Sequence, residues 1–259
     1  MFAEDHRTAE ELFQASLQGD YDHDAAWDAV RILQLRGTEE VFQLAVNNSM
    51  SLVPLERARG LNVLGQFGTG KPMAERPHFD ECVSIAIEHL RDLDPIVVHA
   101  AAWALAHLNC ENSISALILI RNNSDAEVRW AVANGLNGSE RSDAIATLIE
   151  LMDDVDDNVR DWATFALGTQ CPADSVDIRR ALRKRLDDSY EKARDEAIWG
   201  LAQRKDQQGL NILIGRLNAD KRIAGDEMAA RDILGLRSEA PANELREGLQ
   251  KLLRDHFPR

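Results

Sequence analysis

The feature that most constrains this chain is a helical pattern that recurs along most of its length. In the stretch 156–168, the apolar residues Val159, Ala163, Ala166 and Leu167 stand at i, i+4, i+7 and i+8, so they form one stripe on a helix. We call this spacing, with the turn residue before it, the frame. The frame begins at residues 22, 53, 94, 125, 156, 190 and 223, which are 31, 41, 31, 31, 34 and 33 residues apart. This period is about the length of a helical hairpin, and it predicts an array of stacked repeats.

Each frame helix is followed by a second apolar helix, and no stretch shows sustained strand alternation. The second helices are predicted at residues 79–90, 111–120, 142–152, 178–186 and 208–217. We therefore expect an all-α solenoid of about seven hairpins that forms a single domain over residues 1–259. Within it, we expect an N-terminal cap helix in 1–20, repeats over 21–240 and a C-terminal cap helix in 241–259.

The cysteines and the apolar runs indicate the compartment. Cys82, Cys110 and Cys171 are widely spaced and odd in number, which excludes a disulfide framework and a Cys-x-x-Cys metal site and suits a reducing compartment. The first residues do not have the pattern of a secretory signal, and no apolar run has the length needed to cross a bilayer. We expect a cytoplasmic protein with no membrane partner.

The net charge of −14 argues against a nucleic-acid partner, because phosphate backbones reward clustered Lys and Arg. It favours a basic partner instead. The charge is uneven, since residues 1–50 hold ten acidic residues and three arginines. The alternative is that this charge only keeps a long solenoid soluble.

The frame also predicts which residues lie on the face opposite the stripe. With Val159, Ala163 and Leu167 in the core, a step of 100° per residue places Asp161 and Phe165 on the outer face. The same register in the other repeats selects Trp27 with Arg31, His99 with Trp103, Trp130 with Asn134, and Asp195 with Trp199.

Four of the five tryptophans therefore fall on the outer face, and Trp162 lies at its flank, where we expect a structural role. Tryptophan is a frequent anchor at protein interfaces, so these positions predict an aromatic and acidic partner-binding groove. The alternative is that each tryptophan packs against the next repeat.

Other charged residues favour structural roles. Asp125 with Arg129 and Asp156 with Arg160 stand at i and i+4, the spacing for pairing within a helical turn. The basic run at residues 179–185 lies on the second helix of its pair and is predicted to be solvated.

No cofactor, metal or catalytic site is predicted. Gly65, Gly70 and Lys71 imitate the spacing of a phosphate loop, but Pro72 replaces the metal-binding Ser or Thr and a helix precedes the segment. The aspartates at 153–157 lack the central Gly and terminal Glu of a calcium loop. His99 and His107 are eight residues apart, too far along one helix to share a metal. No nucleophile is paired with a base, so we expect a protein that is not an enzyme.

The segment 156–168, read as Asp-x-x-Val-Arg-x-x-Ala-x-x-Ala-Leu-Gly, resembles the short HEAT-like repeat of the PBS-lyase type. The resemblance implies two antiparallel helices per unit in a right-handed α-solenoid. It also implies that the frame helices line the concave surface. In such arrays Asp and Arg residues at these positions commonly link successive turns.

Three segments, at 30–37, 159–166 and 196–206, resemble the YibA-type family of bacterial HEAT-repeat proteins, as does Asp177-Ile178-Arg179. That family is associated with Rhs toxins, so the resemblance implies an immunity protein that binds and occludes a cognate toxin domain. We expect a monomer when no partner is bound. Trp162 and Phe165 match the family pattern, whereas Trp199 stands where an aliphatic residue is usual.

Two alternatives remain open. The first is a general protein-interaction scaffold. The second is a HEAT-like DNA glycosylase, because such enzymes carry concave Trp and Asp residues. The net charge of −14 and the scarcity of inward-facing Lys and Arg disfavour the glycosylase.

Overall fold

The computed structural model describes residues 5–218, 224–236 and 240–257, and all regular structure in these ranges is helical. The predicted fold class, an all-α solenoid, is confirmed. Residue 223, where the last frame begins, and the outer ends of both predicted cap helices lie outside the described residues. In the described part, no helix combines the length and the apolar character needed to cross a membrane.

The chain divides into two compact units, Met1–Leu136 and Asn137–Arg259. In the first unit, the frame helices α2, α4, α6 and α8 pack side by side, and α1, α3, α5 and α7 pack against them. The helices are α1 Ala9–Ser16, α2 Asp24–Arg36, α3 Glu39–Ser49, α4 Pro54–Gly65, α5 Phe79–His89, α6 Pro95–Leu108, α7 Glu111–Leu119 and α8 Ala126–Gly135.

The second unit repeats this arrangement. Its frame helices α10, α12 and α14 pack in sequence, with α9, α11, α13 and α15 as their partners. The helices are α9 Ser142–Leu151, α10 Asp157–Phe165, α11 Val176–Arg185, α12 Glu191–Gln203, α13 Gln207–Arg216, α14 Ala224–Leu234 and α15 Ala242–His256.

The predicted apolar stripe forms the core. Val159, Ala163 and Leu167 are each 0% exposed. Small residues at the stripe let neighbouring frame helices approach closely, since a Cβ built on Gly200 would lie 2.6 Å from the Cα of Gly168. Any larger residue at position 200 would push α12 away from the end of the preceding frame helix.

Aspartates at the predicted turns start the frame helices. The carboxylates of Asp94, Asp125 and Asp156 accept hydrogen bonds from the N–H groups two residues on, at 3.1, 2.9 and 2.9 Å. Such N-caps satisfy donors that have no partner within the helix. The turn acid in the sequence pattern therefore fixes where each of these helices begins.

Buried arginine–aspartate pairs join successive repeats. Nε and Nη2 of Arg160 donate to the two carboxylate oxygens of Asp188, at 3.0 Å each, and Nη1 donates to the carbonyl oxygen of Asp154 at 2.9 Å. Asp188 also accepts from Nη1 of Arg185 at 2.8 Å. These bonds tie α10 to the turn between α11 and α12.

A half-buried pair of the same kind occurs in the first unit. Nε and Nη2 of Arg57 donate to the two carboxylate oxygens of Asp92 at 2.9 Å each, and Nη1 donates to the carbonyl oxygen of Ser51. The bidentate geometry makes these pairs strong and directional. We call the Arg57–Asp92 and Arg160–Asp188 pairs the inter-repeat clamps.

Charge pairing shifts the pKa values of the second clamp. The hydrogen bonds to Asp188 raise the pKa of Arg160 in spite of burial. Burial alone would raise the pKa of Asp188, but the hydrogen bonds from Arg160 and from the Tyr190 N–H hold it below its ordinary value. Both groups are therefore ionised at neutral pH.

The predicted pairing of Asp156 with Arg160 is wrong. The Asp156 carboxylate accepts the N–H groups of Asn158 and Val159, and the acidic partners of Arg160 are Asp157 and Asp188. An N-cap carboxylate is held at the helix end by backbone donors, whereas the long arginine side chain extends to the next repeat.

In the preceding repeat, Asp125 likewise serves as the N-cap, through the N–H of Glu127. Nη1 of Arg129 donates to the carbonyl oxygens of Asn123 and Ser124, at 2.9 and 3.0 Å. This guanidinium lies over the turn before α8, as that of Arg160 does before α10.

The interpretation of residues 179–185 as a solvated basic run is also wrong in part. Arg185 is 8% exposed and pairs with Asp188, and Arg179 pairs with Asp174 at 2.6 Å. Arg180 remains exposed. The run is acid-paired because the second helix of this repeat faces the aspartate-rich turns.

The last turn of the frame helix at 156–168 departs from the predicted regular helix. α10 ends at Phe165 and continues as a π-helical segment over Ala166–Gln170. Nη2 of Arg204 donates to the carbonyl oxygens of Leu167, Cys171 and Ala173 at 2.7–2.8 Å. The wider π-helical turn interrupts the regular i→i+4 hydrogen bonds of the α-helix. Arg204 then donates to the carbonyl groups that lack their usual backbone donors.

The longest offset between frames corresponds to the segment between α4 and α5, which contains a 3-10 helix at Met73–Glu75. The phosphate-loop-like spacing begins at the end of helix α4. A phosphate loop follows a strand, so this segment does not have its architecture.

Substituting Asp188→Ala should lower the free energy of unfolding by about 3 kcal/mol, because it leaves two buried arginines without their shared carboxylate. Urea unfolding followed by circular dichroism measures the change. The control is Asp177→Ala, which removes the exposed pair with Arg180 and should cost less than about 1 kcal/mol. Equal losses for the two variants would contradict the role given to the clamp.

Candidate functional site

One face of α6 carries His99, Trp103 and His107 at i, i+4 and i+8. The indole of Trp103 stacks on that of Trp130 from α8, with ring centroids 4.7 Å apart and an interplanar angle of 22°. His107 meets Trp103 edge-on, at 4.5 Å and 88°. Two neighbouring frame helices thus present one continuous aromatic surface.

Tyr21, in the loop between α1 and α2, extends this surface. Its ring lies 5.8 Å from that of Trp27, edge-on, and 6.2 Å from that of His99. Nδ2 of Asn62 donates to the tyrosine hydroxyl at 2.8 Å, and Nη2 of Arg59 donates to its carbonyl oxygen at 2.6 Å. These bonds fix the loop against α4.

Together these groups surround a cavity of about 400 Å³, within the size range of ligand sites. We call it the aromatic pocket. It is lined by Tyr21, Asp22, Trp27, Arg31, Gln34, Gln66, His99, Trp103, His107, Glu127 and Trp130.

Arg59 lies behind the rings at one end of the aromatic pocket and is 1% exposed. Its Cζ is 4.5 Å from the ring centroid of Tyr21 and 5.1 Å from that of Trp27. Burial lowers its pKa, and its Nε and Nη1 have no hydrogen-bond partner among the described residues. The hydrogen bond from Nη2 to the Tyr21 carbonyl oxygen and the two π-systems together compensate this buried charge.

The charges that face the aromatic pocket are negative on balance. Asp22 and Glu127 are exposed carboxylates, and neither forms an ion pair within the described part of the chain. Arg31 is paired with Asp28. Burial, and to a smaller extent Arg76, lower the pKa of His107, so this ring is neutral at physiological pH.

In the second unit, Asp161 and Glu196 form a half-buried carboxylate pair. Burial raises the pKa of Asp161 to about 6. The charge of Lys192 lowers this pKa, whereas the charges of Asp195 and Asp188 raise it. Burial and the charge of Asp161 raise the pKa of Glu196 to about 7. The hydroxyl of Thr169 donates to Glu196 at 3.5 Å. A cation at this position would restore both carboxylates to the ionised form.

Asp195 and Trp199 are not the free groups that the frame predicted. Asp195 is 9% exposed and pairs with Arg216 at 2.6 Å. Nε1 of Trp199 donates to Asp226 at 2.8 Å, and its ring lies against Gly225 of α14. The physical reason is that Arg216 at the end of α13 reaches Asp195, whereas the next frame helix, α14, covers Trp199, as the packing alternative for the tryptophans predicts.

The other expected surface residues separate into groups. Trp27, His99, Trp103 and Trp130 come together in the aromatic pocket, whereas Asn134 is half-buried and does not line it. In the second unit, Phe165 is half-buried and its ring meets that of Trp162 edge-on at 5.6 Å.

Sequence reasoning missed Tyr21, Asp22, His107, Glu127 and Glu196. The i+8 spacing of His107 from His99 places both residues on the same helix face, although it does not suit a metal site. Glu127 stands three residues before Trp130 on α8, so it shares that face as well. Tyr21 lies in a loop that carries no repeat pattern.

None of the three cysteines lines the aromatic pocket. Burial raises the pKa of the Cys82 thiol to about 12, which keeps it protonated. No group of three or more His, Cys, Asp or Glu residues with metal-ligand geometry occurs in the described ranges.

The repeats, their helix pairing and the side-by-side frame helices define the class of protein. The family profile described as HEAT repeats matches residues 83–168 and 145–231, more than half of the chain. The chain belongs to the HEAT-repeat family.

The chain is also similar to Protein YibA of Escherichia coli strain K12, with 28% identity over 238 residues, 90% of this chain and 82% of that protein. The X-ray structure of E. coli YibA superposes with a TM-score of 0.73 and 25% identity, covering 96% of this chain and 93% of YibA. The predicted resemblance is confirmed to this extent.

A designed armadillo repeat protein in complex with the peptide (KR)4 shares the fold, with a TM-score of 0.53 and 16% identity over 76% of this chain and 99% of that one.

The carboxylate pair predicts an unusual pH dependence. Glu196 binds its proton more tightly in the folded chain, where its pKa is about 7, than in the unfolded chain, where it is 4.5. Stability should therefore fall as the pH rises from 4.5 to about 7. Glu196→Gln should reduce this loss of stability by roughly 1–2 kcal/mol. The measurement is the difference between the stability-versus-pH profiles of the wild-type protein and of the variant.

The matched control is Glu191→Gln, the same substitution at an exposed glutamate five residues earlier on α12. Carbon-13 NMR of the side-chain carboxyls reports the titration of Glu196 directly. A Glu196 pKa near 4.5, or equal effects of the two substitutions, would contradict the assignment.

Proposed function

We propose that this chain is a non-catalytic HEAT-repeat protein that binds a basic protein partner and occludes it. The observation that carries the proposal is the aromatic pocket, in which rings from α2, α6 and α8 and from the Tyr21 loop surround one cavity. Half-buried tryptophans at the centre of a concave site are the side chains that most often anchor protein interfaces.

The charge distribution supports a basic partner. Asp22 and Glu127 at the pocket, the carboxylate pair in the second unit and the net charge of −14 would all attract cations. Such a surface increases the rate of association with a positively charged protein and disfavours acidic competitors. The fold is compatible with this use, since the designed armadillo protein of similar fold is bound to a Lys-Arg peptide.

The specific role we propose is that of a bacterial immunity protein, in which the partner is a cognate toxin domain of the Rhs type. Similarity to YibA supports this role, because the resemblance to the YibA-type family implies an association with Rhs toxins. An inhibitor of this kind would act in the cytoplasm as a monomer until it meets the toxin. Residues 1–259 would serve as one repeat domain with a cap helix at each end.

The residues proposed for the partner contact are those that the structure leaves available. They are Trp27, His99, Trp103 and Trp130 in the aromatic pocket, and Asp161, with Phe165 beside it, in the second unit. Asn134 is a secondary candidate. The two aspartate–arginine sets at residues 125, 129, 156 and 160 remain structural.

A DNA-glycosylase activity has less support. The arginines nearest to the aromatic pocket are engaged, Arg31 with Asp28 and Arg59 with the Tyr21 carbonyl and rings. Few cations therefore remain to neutralise phosphates. Salt-dependent binding in a DNA shift assay would favour the glycosylase over the proposal.

Co-expression with a candidate Rhs-type toxin domain tests the proposal. Cells should survive with the wild-type protein, and Trp103→Leu should weaken the complex about thirtyfold, the effect of truncating a central interface tryptophan. Trp199→Leu, the same change at a position that α14 covers, is the control. The proposal fails if cells die as readily with the wild-type protein, and a general scaffold is favoured if unrelated proteins bind equally well.

A further inference from the structure

Helices α3 and α5 are neighbours in the first unit, and they pack less closely than α5 and α7, the next pair in the same row. The longest offset between frames falls here, because the chain passes through α4 and the segment 66–78 before α5 begins. Side-chain bonds therefore matter more for this link than for the next one. A histidine bridges the two helices at each end.

The first bridge lies at the N-terminal ends of the two helices. His78, the N-cap residue of α5, stacks face to face on Phe42 of α3, with ring centroids 3.8 Å apart and an interplanar angle of 8°. Its Nε2 lies 2.8 Å from a carboxylate oxygen of Glu39 on α3, and its Nδ1 is hydrogen-bonded to Glu81 on α5. One imidazole thus links a carboxylate from each helix.

The second bridge lies at the C-terminal ends. His89, the last residue of α5, places Nε2 at 2.8 Å from the carbonyl oxygen of Ser49, the last residue of α3. Its Nδ1 lies 2.8 Å from the carbonyl oxygen of Ile85, one turn earlier in α5. Carbonyl groups in the last turn of a helix have no donor within that helix, so His89 supplies a donor to the end of α3.

Both bridges need the same protonation state of the ring. Carboxylate and carbonyl oxygens only accept hydrogen bonds, so a ring nitrogen without hydrogen cannot bond to them. A neutral imidazole has one N–H group and completes half of a bridge, whereas an imidazolium has two and completes all of it. Loss of one proton therefore breaks one bond of each bridge.

We infer that His78 and His89 form a proton-dependent joint between α3 and α5, which is closed when both rings are protonated and opens as they lose their protons. We call these two residues the histidine joint. Helix α3 packs on α4 and α5 packs on α6, and these two frame helices pack closely on each other, so the release stays between α3 and α5. The joint does not depend on the proposed function.

The charges around His78 favour the closed state. Beside the carboxylates of Glu39 and Glu81, the cavity next to the ring is lined by Asp80 of α5 and by Arg76, so carboxylates outnumber cations there. Burial alone would lower the pKa of His78, but the hydrogen bonds to Glu39 and Glu81 raise it above its ordinary value of 6.5. The stability that His78 contributes is therefore complete below pH 6.5 and is lost as the pH rises through the raised pKa.

The charges near His89 come from three elements. They are Arg57 of α4, Glu88 of α5, and Asp92 and Asp94 of the turn before α6. The hydrogen bond from Arg57 lowers the pKa of Asp92, burial opposes it, and the charge of His89 lowers the pKa further. The clamp carboxylate thus lies close enough to His89 to favour its protonated form.

Nitrogen-15 NMR of the histidine rings tests the protonation states directly. At about pH 5.5, below the usual titration range of histidine, both rings should carry hydrogen on both nitrogens, with the shifts of bonded N–H groups. The His78 ring should then lose its proton with a midpoint above 6.5. A single hydrogen on either ring at the acidic pH, or a His78 midpoint below 6.5, would overturn the inference.

Hydrogen–deuterium exchange with mass spectrometry measures the opening. Between about pH 5.5 and about pH 8.5, amide protection in α3 and α5, corrected for the intrinsic exchange rate, should fall about threefold to tenfold. This is the loss expected for one partly exposed, charge-assisted bond at each end. Helices α1 and α2 are the internal reference and should change little. Equal changes in all four helices contradict a local joint.

A double variant, His78→Asn with His89→Gln, removes both titrating rings. Asparagine tolerates the left-handed backbone at position 78, where φ is 56°. The control is His256→Gln, because the exposed His256 also bonds to the carbonyl group one turn earlier in its own helix but bridges to no second helix in the described ranges.

The double variant should lose the pH dependence of protection in α3 and α5, whereas the control should keep it. Full pH dependence in a folded double variant overturns the inference. A thermal melt shows whether the variant is folded, and if it is not, the ring NMR and the exchange profile of the wild-type protein decide by the outcomes given above.

Discussion

The structure depends on arginine side chains that reach from one repeat to the next. In both inter-repeat clamps, a guanidinium on the first turn of a frame helix binds a carboxylate of the following turn and the carbonyl groups of its own turn. A solenoid has few long-range contacts, so each repeat depends on its neighbours for orientation. Because the clamps are bidentate and shielded from solvent, partly at Arg57–Asp92 and almost fully at Arg160–Asp188, they constrain the spacing of the frame helices in addition to apolar packing.

The spacing of neighbouring frame helices also shapes the candidate site. Trp103 and Trp130 stand on different helices, and they stack only because α6 and α8 lie side by side at a fixed distance. Tyr21 belongs to a loop, yet Arg59 and Asn62 hold it against α4 so that it completes the cavity wall. Burying Arg59 without a carboxylate is expensive, which indicates that the position of this loop matters to the protein.

The periodic part of the molecule could be predicted from the sequence, and the irregular part could not. The stripe at Val159, Ala163 and Leu167 identifies the core because burial follows helical spacing in the repeats that begin at residues 94, 125, 156 and 190. Outward-facing positions have no such rule, since the neighbouring helix decides whether they are covered. Trp103 and Trp199 occupy the same frame position, but Trp199 is packed against α14. The partners of Arg160 and the loop position of Tyr21 likewise depend on contacts between residues far apart in sequence.

The central claim is that the tryptophans of the aromatic pocket contact the partner and that Trp199 does not. Hydroxyl-radical footprinting with mass spectrometry measures this for every tryptophan in one experiment on the free protein and on its complex with the basic partner. The account predicts that Trp103 and Trp130 oxidise readily in the free protein and are protected in the complex, while Trp199 changes little. Equal oxidation of Trp103 and Trp130 in the two states would contradict it.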